Sequence, residues 1–148
     1  MTKILLIRHG QSTFNAHYEA TGQDPGHFDA RLTELGHHQA KDAGKRLEGE
    51  HVDLVITSPL SRAIQTGLNI FGHRDIPFDI TCRHRERVES SGDVGRSPRE
   101  LKLDFPHLDF DHLDDPWWHH DPEARGLFAV EPYELFQKRV SHFHEWLK

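Results

Sequence analysis

Arg8-His9-Gly10 follows directly on the apolar run Ile4-Leu5-Leu6-Ile7, and Arg62 lies shortly after a second apolar stretch, VDLVITSPL. A guanidinium and an imidazole at one strand end, with a second guanidinium past another, can handle phosphate. Ligands of open α/β sheets collect at the carboxyl ends of the strands. Two guanidiniums grip a phosphate through forked, charge-assisted hydrogen bonds, each worth roughly 1.5–3 kcal/mol. An imidazole between them is a nucleophile available near neutral pH. Spacing alone leaves a plainer reading open, in which Arg8 and His9 only form a strand-end ion pair.

The elements that must position these groups can be read from the apolar pattern. Ile4–Ile7 reads as a strand covered on both faces. A polar loop follows. DARLTELGHHQAKDAGKRLEG then predicts a helix capped by Thr33, with Glu34 in its first turn, Leu35, Ala43 and Leu47 near helical spacing, and Gly49 as its stop. VDLVITSPL predicts a second buried strand, and Ser58-Pro59 opens a helix carrying Arg62, Ile64, Gln65, Leu68 and Ile70. IPFDIT is a weaker third strand. Strands and helices in this alternation imply right-handed crossovers and a largely parallel sheet.

From Arg83 the regularity breaks down. SPRE at 97–100 is a capping box with proline in the first turn, and predicts a short helix to about Phe105. FPHLDFDHLDDPWWHHDPEARG reads as irregular chain, part of an insertion spanning about 87–130. Within it, Trp117 and Trp118 either line a substrate mouth or plug the insertion onto the sheet. EPYELFQKRVSHFHEWLK is amphipathic, with Phe136, Val140, Phe143 and Leu147 on one face.

At 148 residues the chain reads as one domain, long enough to bury roughly 70% of its unfolded surface. The formal charge of −6 argues against a nucleic-acid or anionic-membrane partner, so any bound phosphate must be held by local arginines against the overall field. One cysteine, Cys82, excludes an intramolecular disulfide and fits a reducing cytoplasm. The run Ile4–Ile7 is too short for a signal-peptide core or a membrane span. The expectation is a cytoplasmic protein.

Three blocks, LLIRHGQSTFN, DARLTELGHHQA and VITSPLSRAIQT, resemble the histidine phosphatase superfamily, the phosphoglycerate mutase-like fold, in order and separation. The resemblance implies an α/β/α three-layer fold with a mainly parallel sheet. It implies that His9 takes the phosphoryl group on its ring nitrogen and that Arg8 and Arg62 form the phosphate pocket. Gly10 lets the backbone turn close to the phosphate, and Asn15 hydrogen-bonds it. Gln11-Ser12 stands where the family often has Glu-Thr, and Thr21-Gly22 where it often has a further substrate contact. No cofactor and no metal are implied, and the partner is a phosphorylated small molecule.

The same resemblance calls for a proton donor to the leaving oxygen. Glu86, in HRER, takes that place, with Glu89 as runner-up and a surface ion pair with Arg83, Arg85 or Arg87 as the plainer reading. The donor must carry its proton near neutral pH, so burial or a phosphate dianion has to favour the protonated form. The family pattern also has a second histidine, in a His-Gly pair after a later strand. VSHF at 140–143 imitates it locally, but His142 falls inside the last helical pattern with no apolar strand before it. That strand and its histidine are expected after Lys148 or are missing from the chain. The fourteen histidines lack the spacing of a zinc site. The expected function is a phosphomonoester hydrolase working through phosphohistidine. Phosphoglycerate mutase activity is the nearest alternative, then a phosphate-binding pseudoenzyme, and a metal-binding module is a distant fourth.

Overall fold

The computed structural model describes residues 2–148. Among the described residues, five α-helices and a parallel two-stranded sheet make an α/β structure, in agreement with the predicted class. In chain order they are α1 (Thr13–Thr21), α2 (Glu34–Arg46), β1 (Val55–Thr57), α3 (Ser61–Phe71), β2 (Phe78–Ile80), α4 (Pro98–Asp104) and α5 (Tyr133–Trp146). A single 3-10 turn, Ser91–Asp93, lies between β2 and α4.

β1 and β2 pair in parallel with Val55 opposite Phe78 and Thr57 opposite Ile80, so both later strands form where the apolar pattern put them. The first expected strand is different. Residues 4–7 join neither β1 nor β2, and Ile4, Leu5, Leu6 and Ile7 are exposed, Leu6 at 90%. An apolar run becomes a buried strand only where a neighbour takes its N–H and C=O groups. Among the described residues the segment is instead pinned near its two ends. Lys3 Nζ reaches Glu50 Oε2 at 2.7 Å, and the Gly10 N–H donates to Thr66 Oγ1 at 3.1 Å.

α2 starts as expected, with the Thr33 hydroxyl accepting the Gly36 N–H. It ends at Arg46 with Leu47 as its cap, so Gly49 is not the stop. Its buried face matches the predicted one in part: Ala43 and Leu47 pack half-buried against the cluster of Ala40, Val55, Ile70 and Phe71. Leu35 is half exposed, and Gly36, Ala40 and Gly44 are buried, four residues apart each time. Small residues at that spacing let α2 approach α3 closely: a Cβ on Gly44 would stand 3.2 Å from Ile70 Cα. α1 stands in what reads as a polar loop. It buries no residue and is held by a capping box, with the Ser12 hydroxyl accepting the Asn15 N–H and Asn15 Oδ1 accepting the Ser12 N–H.

The irregular stretch builds much of the core. Phe105, Leu108, Phe110 and Trp117 pack with Leu60, Ile64, Ile80 and Leu101. Trp117 therefore plugs the insertion onto the sheet and α3, its indole N–H satisfied by the Arg96 carbonyl at 2.8 Å. α4 carries the predicted Ser97–Glu100 capping box. α5 lays Phe136, Phe143 and Leu147 half-buried along one face, with Val140 more exposed.

Candidate active site

A cleft of about 370 Å³ brings together Arg8, His9, Asn15, Arg62, Glu86 and Glu89. These six were all singled out from sequence. Gly22 is not brought there. It is the C-cap of α1, at φ 68°, with its N–H donating to the Tyr18 carbonyl. His142 lies exposed on α5, outside this cleft.

His9 Nδ1 lies 2.7 Å from the Gly10 carbonyl oxygen. A carbonyl oxygen can only accept, so Nδ1 carries the hydrogen and Nε2 keeps its lone pair. Burial, and then the Arg62 and Arg8 guanidiniums, hold the imidazole below its ordinary pKa of 6.5, outweighing the opposing Gly10 bond and Asp93. The ring is thereby kept neutral and nucleophilic near neutral pH.

Packing also requires glycine at position 10. A Cβ there would stand 2.4 Å from the Gly36 carbonyl oxygen, and a Cβ on Gly36 would stand 2.1 Å from the Gln11 oxygen. The loop after His9 and the first turn of α2 are locked backbone to backbone. The Gly10 N–H is used by Thr66 Oγ1, and that hydroxyl donates in turn to the Arg62 carbonyl at 2.8 Å. One threonine thus links the histidine loop to the turn of α3 that carries Arg62.

Arg62 sits in the first turn of α3, and Leu60 provides no side-chain cap for that helix. Asp29 does so from 32 residues away: its Oδ1 accepts the Ser61 N–H at 2.8 Å, and its Oδ2 accepts the Ser61 hydroxyl and Arg96 Nε. The Arg62 guanidinium is buried and held at Nη1 by the Gly92 carbonyl and at Nη2 by Asp93 Oδ1. Asn15 gives its Oδ1 to the capping box, which leaves its amide N–H₂ as the cleft-side donor.

Glu86 and Glu89 differ. Arg85 pairs with Glu131, Arg87 pairs with Glu89, and Arg83 stacks over Trp146. Among the described residues Glu86 has no ion-pair partner, so the surface-pair reading does not hold for it. It is exposed in the open cleft, its Oε1 accepting the Arg87 N–H at 3.2 Å.

Sequence reasoning missed several cleft residues: Phe14, Tyr18, Asp24, Arg87, Ser90 and Asp93. Phe14 and Tyr18 stack at 5.7 Å and sit at i and i+4 of a helix that reads as a loop. Asp24 works through a hydrogen-bonded partner distant in sequence, which no spacing pattern reveals, whereas Asp93 closes a Ser90-x-x-Asp93 capping box whose local spacing could have marked it.

Residues 4–148 match the pattern of the histidine phosphatase superfamily, branch 1. The chain belongs to this superfamily. Over 92 residues it is 48% identical to a phosphoglycerate mutase of Candida albicans, covering 59% of this chain and 36% of that protein. Its fold is similar to the alpha-ribazole phosphatase of Shigella flexneri, with a TM-score of 0.62, 26% identity, 95% of this chain and 64% of that one. It is also similar to YhfR of Bacillus stearothermophilus, with a TM-score of 0.59, 26% identity and the same coverages. The superfamily member described here thus has the phosphoglycerate mutase-like α/β fold and spans about a third of the curated relative and under two thirds of these solved chains. No helix among its described residues is long and apolar enough to cross a membrane.

Proposed function

We propose that this histidine phosphatase superfamily member hydrolyses a phosphomonoester of a small molecule through a phosphohistidine at His9. The observation that carries the proposal is the Nδ1 bond of His9 to the Gly10 carbonyl, which leaves Nε2 free in a cleft shared with two arginines. Nε2 attacks phosphorus in line, and the bond from phosphorus to the ester oxygen breaks. Glu86 gives its proton to that oxygen as it leaves. Water then attacks the phosphohistidine and passes a proton to the Glu86 carboxylate. The N–P bond breaks, and phosphate and neutral His9 are released. Arg8, Arg62 and the Asn15 amide neutralise and position the equatorial oxygens, which is where catalysis of phosphoryl transfer mostly lies. Glu86 stands exposed at the cleft, on the same lining as His9 and Arg62.

Glu86→Gln is expected to slow alkyl phosphates far more than activated aryl phosphates, by about 10²–10⁴-fold for the former, because only poor leaving groups need the proton. Steady-state rates over a leaving-group series check this. An equal loss on both classes would make Glu86 a residue that shapes the cleft, and the same series on Glu89→Gln tests the runner-up.

The 48% identity to a phosphoglycerate mutase favours a second reading, transfer of the phosphoryl group back onto a phosphoglycerate. Release of inorganic phosphate without net isomerisation supports hydrolysis; isomerisation with the phosphate retained supports the mutase. The half-buried Cys82 fits the reducing cytoplasm in which we place the protein.

A further inference from the structure

We propose that Asp93 is a positioning residue that fixes the plane of the Arg62 guanidinium and ties it to the loop carrying Glu86. This rests on the reading of Arg62 as a phosphate ligand. The carboxylate of Asp93 divides its two oxygens. Oδ1 accepts Arg62 Nη2 at 3.0 Å. Oδ2 accepts the N–H of Glu89 at 3.1 Å, the N–H of Ser90 at 3.0 Å and the Ser90 hydroxyl at 2.9 Å. The neighbouring Gly92 carbonyl takes Arg62 Nη1 at 2.5 Å. Two points of attachment fix both the position and the rotation of a planar group. They use two of its five N–H donors and leave three for a ligand.

A carboxylate is a costly companion for a phosphate-binding arginine. It cancels part of the positive charge that draws the substrate in, and a buried ion pair is weak evidence of stabilisation in its own right. Its benefit here is geometric. A guanidinium already turned to its ligand needs no reorganisation as charge develops in the transition state. The turn is braced from the far side as well. The Ser91 N–H donates to Asp24 Oδ2 at 2.8 Å and its hydroxyl to Asp24 Oδ1, which fastens the 3-10 turn to the loop after α1.

Asparagine at 93 cannot serve both sides, because its amide N–H₂ must face either the Arg62 guanidinium or the N–H groups of Glu89 and Ser90. Asp93→Asn is therefore expected to lower kcat on an aryl phosphate by about 10–100-fold, the scale of an ångström-level misplacement. Binding of inorganic phosphate should stay the same or tighten, since a negative charge has left the cleft. In an Arg62→Ala background the same change should cost little more, because residues acting as one unit are not additive. Additive losses, or an unchanged kcat, would overturn the inference. If Asp93→Asn does not fold, Asp93→Glu keeps the charge, shifts the carboxylate and carries the same comparison.

One readout does not depend on turnover. In wild-type protein the two Nη groups of Arg62 should give separate NMR signals, because the contacts of Nη1 with the Gly92 carbonyl and of Nη2 with Asp93 block rotation about Nε–Cζ. A freely rotating Arg62 would refute the positioning role even if the enzyme proved active. Absence of label on His9 in wild type, with Arg62 still held, would instead count against the proposed reaction.

Discussion

Replacing His9 with alanine is expected to abolish phosphorylation of the protein and to cut phosphomonoester turnover by on the order of 10⁴–10⁶-fold, as loss of a nucleophile does elsewhere. Rapid quenching of wild type with a labelled ester should trap an acid-labile, base-stable phosphate that His9→Ala cannot form. Label found on a serine would sink the mechanism. The pH profile adds a second test. Burial, followed by Arg62 and Arg8, favours the neutral ring, so the acid limb of kcat/KM should lie below the ordinary histidine value of 6.5. Activity then persists as pH falls through 6.5. Removing the Arg8 charge should move the limb upward.

The second large effect is on stability. Glu131 accepts Arg85 Nη1 at 2.9 Å and Nη2 at 3.0 Å, and Arg139 Nη2 at 3.0 Å, with all three side chains mostly out of solvent. Arg139 also donates to the Arg83 and Arg85 carbonyls, so the cluster ties α5 to the segment carrying Glu86. Glu131→Ala leaves two largely buried guanidiniums without their carboxylate, and a loss of about 3–5 kcal/mol is expected in chemical denaturation. Burial alone would raise the Glu131 pKa, but the bonds and charges of Arg85 and Arg139 outweigh it and bring the carboxyl down to about 2. A depressed carboxylate stabilises the fold above its unfolded value of 4.5 and loses that contribution as pH falls toward about 2. Wild type and Glu131→Ala should therefore differ most at neutral pH and converge in acid. A gap that does not narrow between those pH values would remove Glu131 from the account.

The cleft was legible where function is written in local sequence, and not where it depends on distant partners. Arg8 and His9 are marked by the apolar run before them, Arg62 by the strand before its helix, and Glu86 by family resemblance. Thr33 and Ser97 announce α2 and α4 because capping is a local interaction. α1 goes unseen because it buries nothing and so has no apolar period. The buried face of α2 is read only in part for a related reason: Ala43 and Leu47 pack on the core as expected, but the fully buried positions are glycine and alanine, which carry little hydrophobic signal. Ile4–Ile7 has the composition of a strand, but composition cannot supply the neighbour that completes a ladder. Asp29 caps α3 across 32 residues and Glu131 meets Arg85 across 46, separations at which no pattern in the chain is informative.

The backbone lock between Gly10 and Gly36 bears on how this chain can drift. Each glycine is required by the main chain of the other segment, so no compensating side-chain change nearby can admit a larger residue at either position. In a library randomised at both, survivors should carry glycine at both, with no correlated pair replacing them. Gly49, with nothing within 4 Å of its would-be Cβ, should accept substitution freely. Positions 10 and 36 are thus fixed by geometry before catalysis places any demand on them, and their invariance in a selection for folding alone would show it.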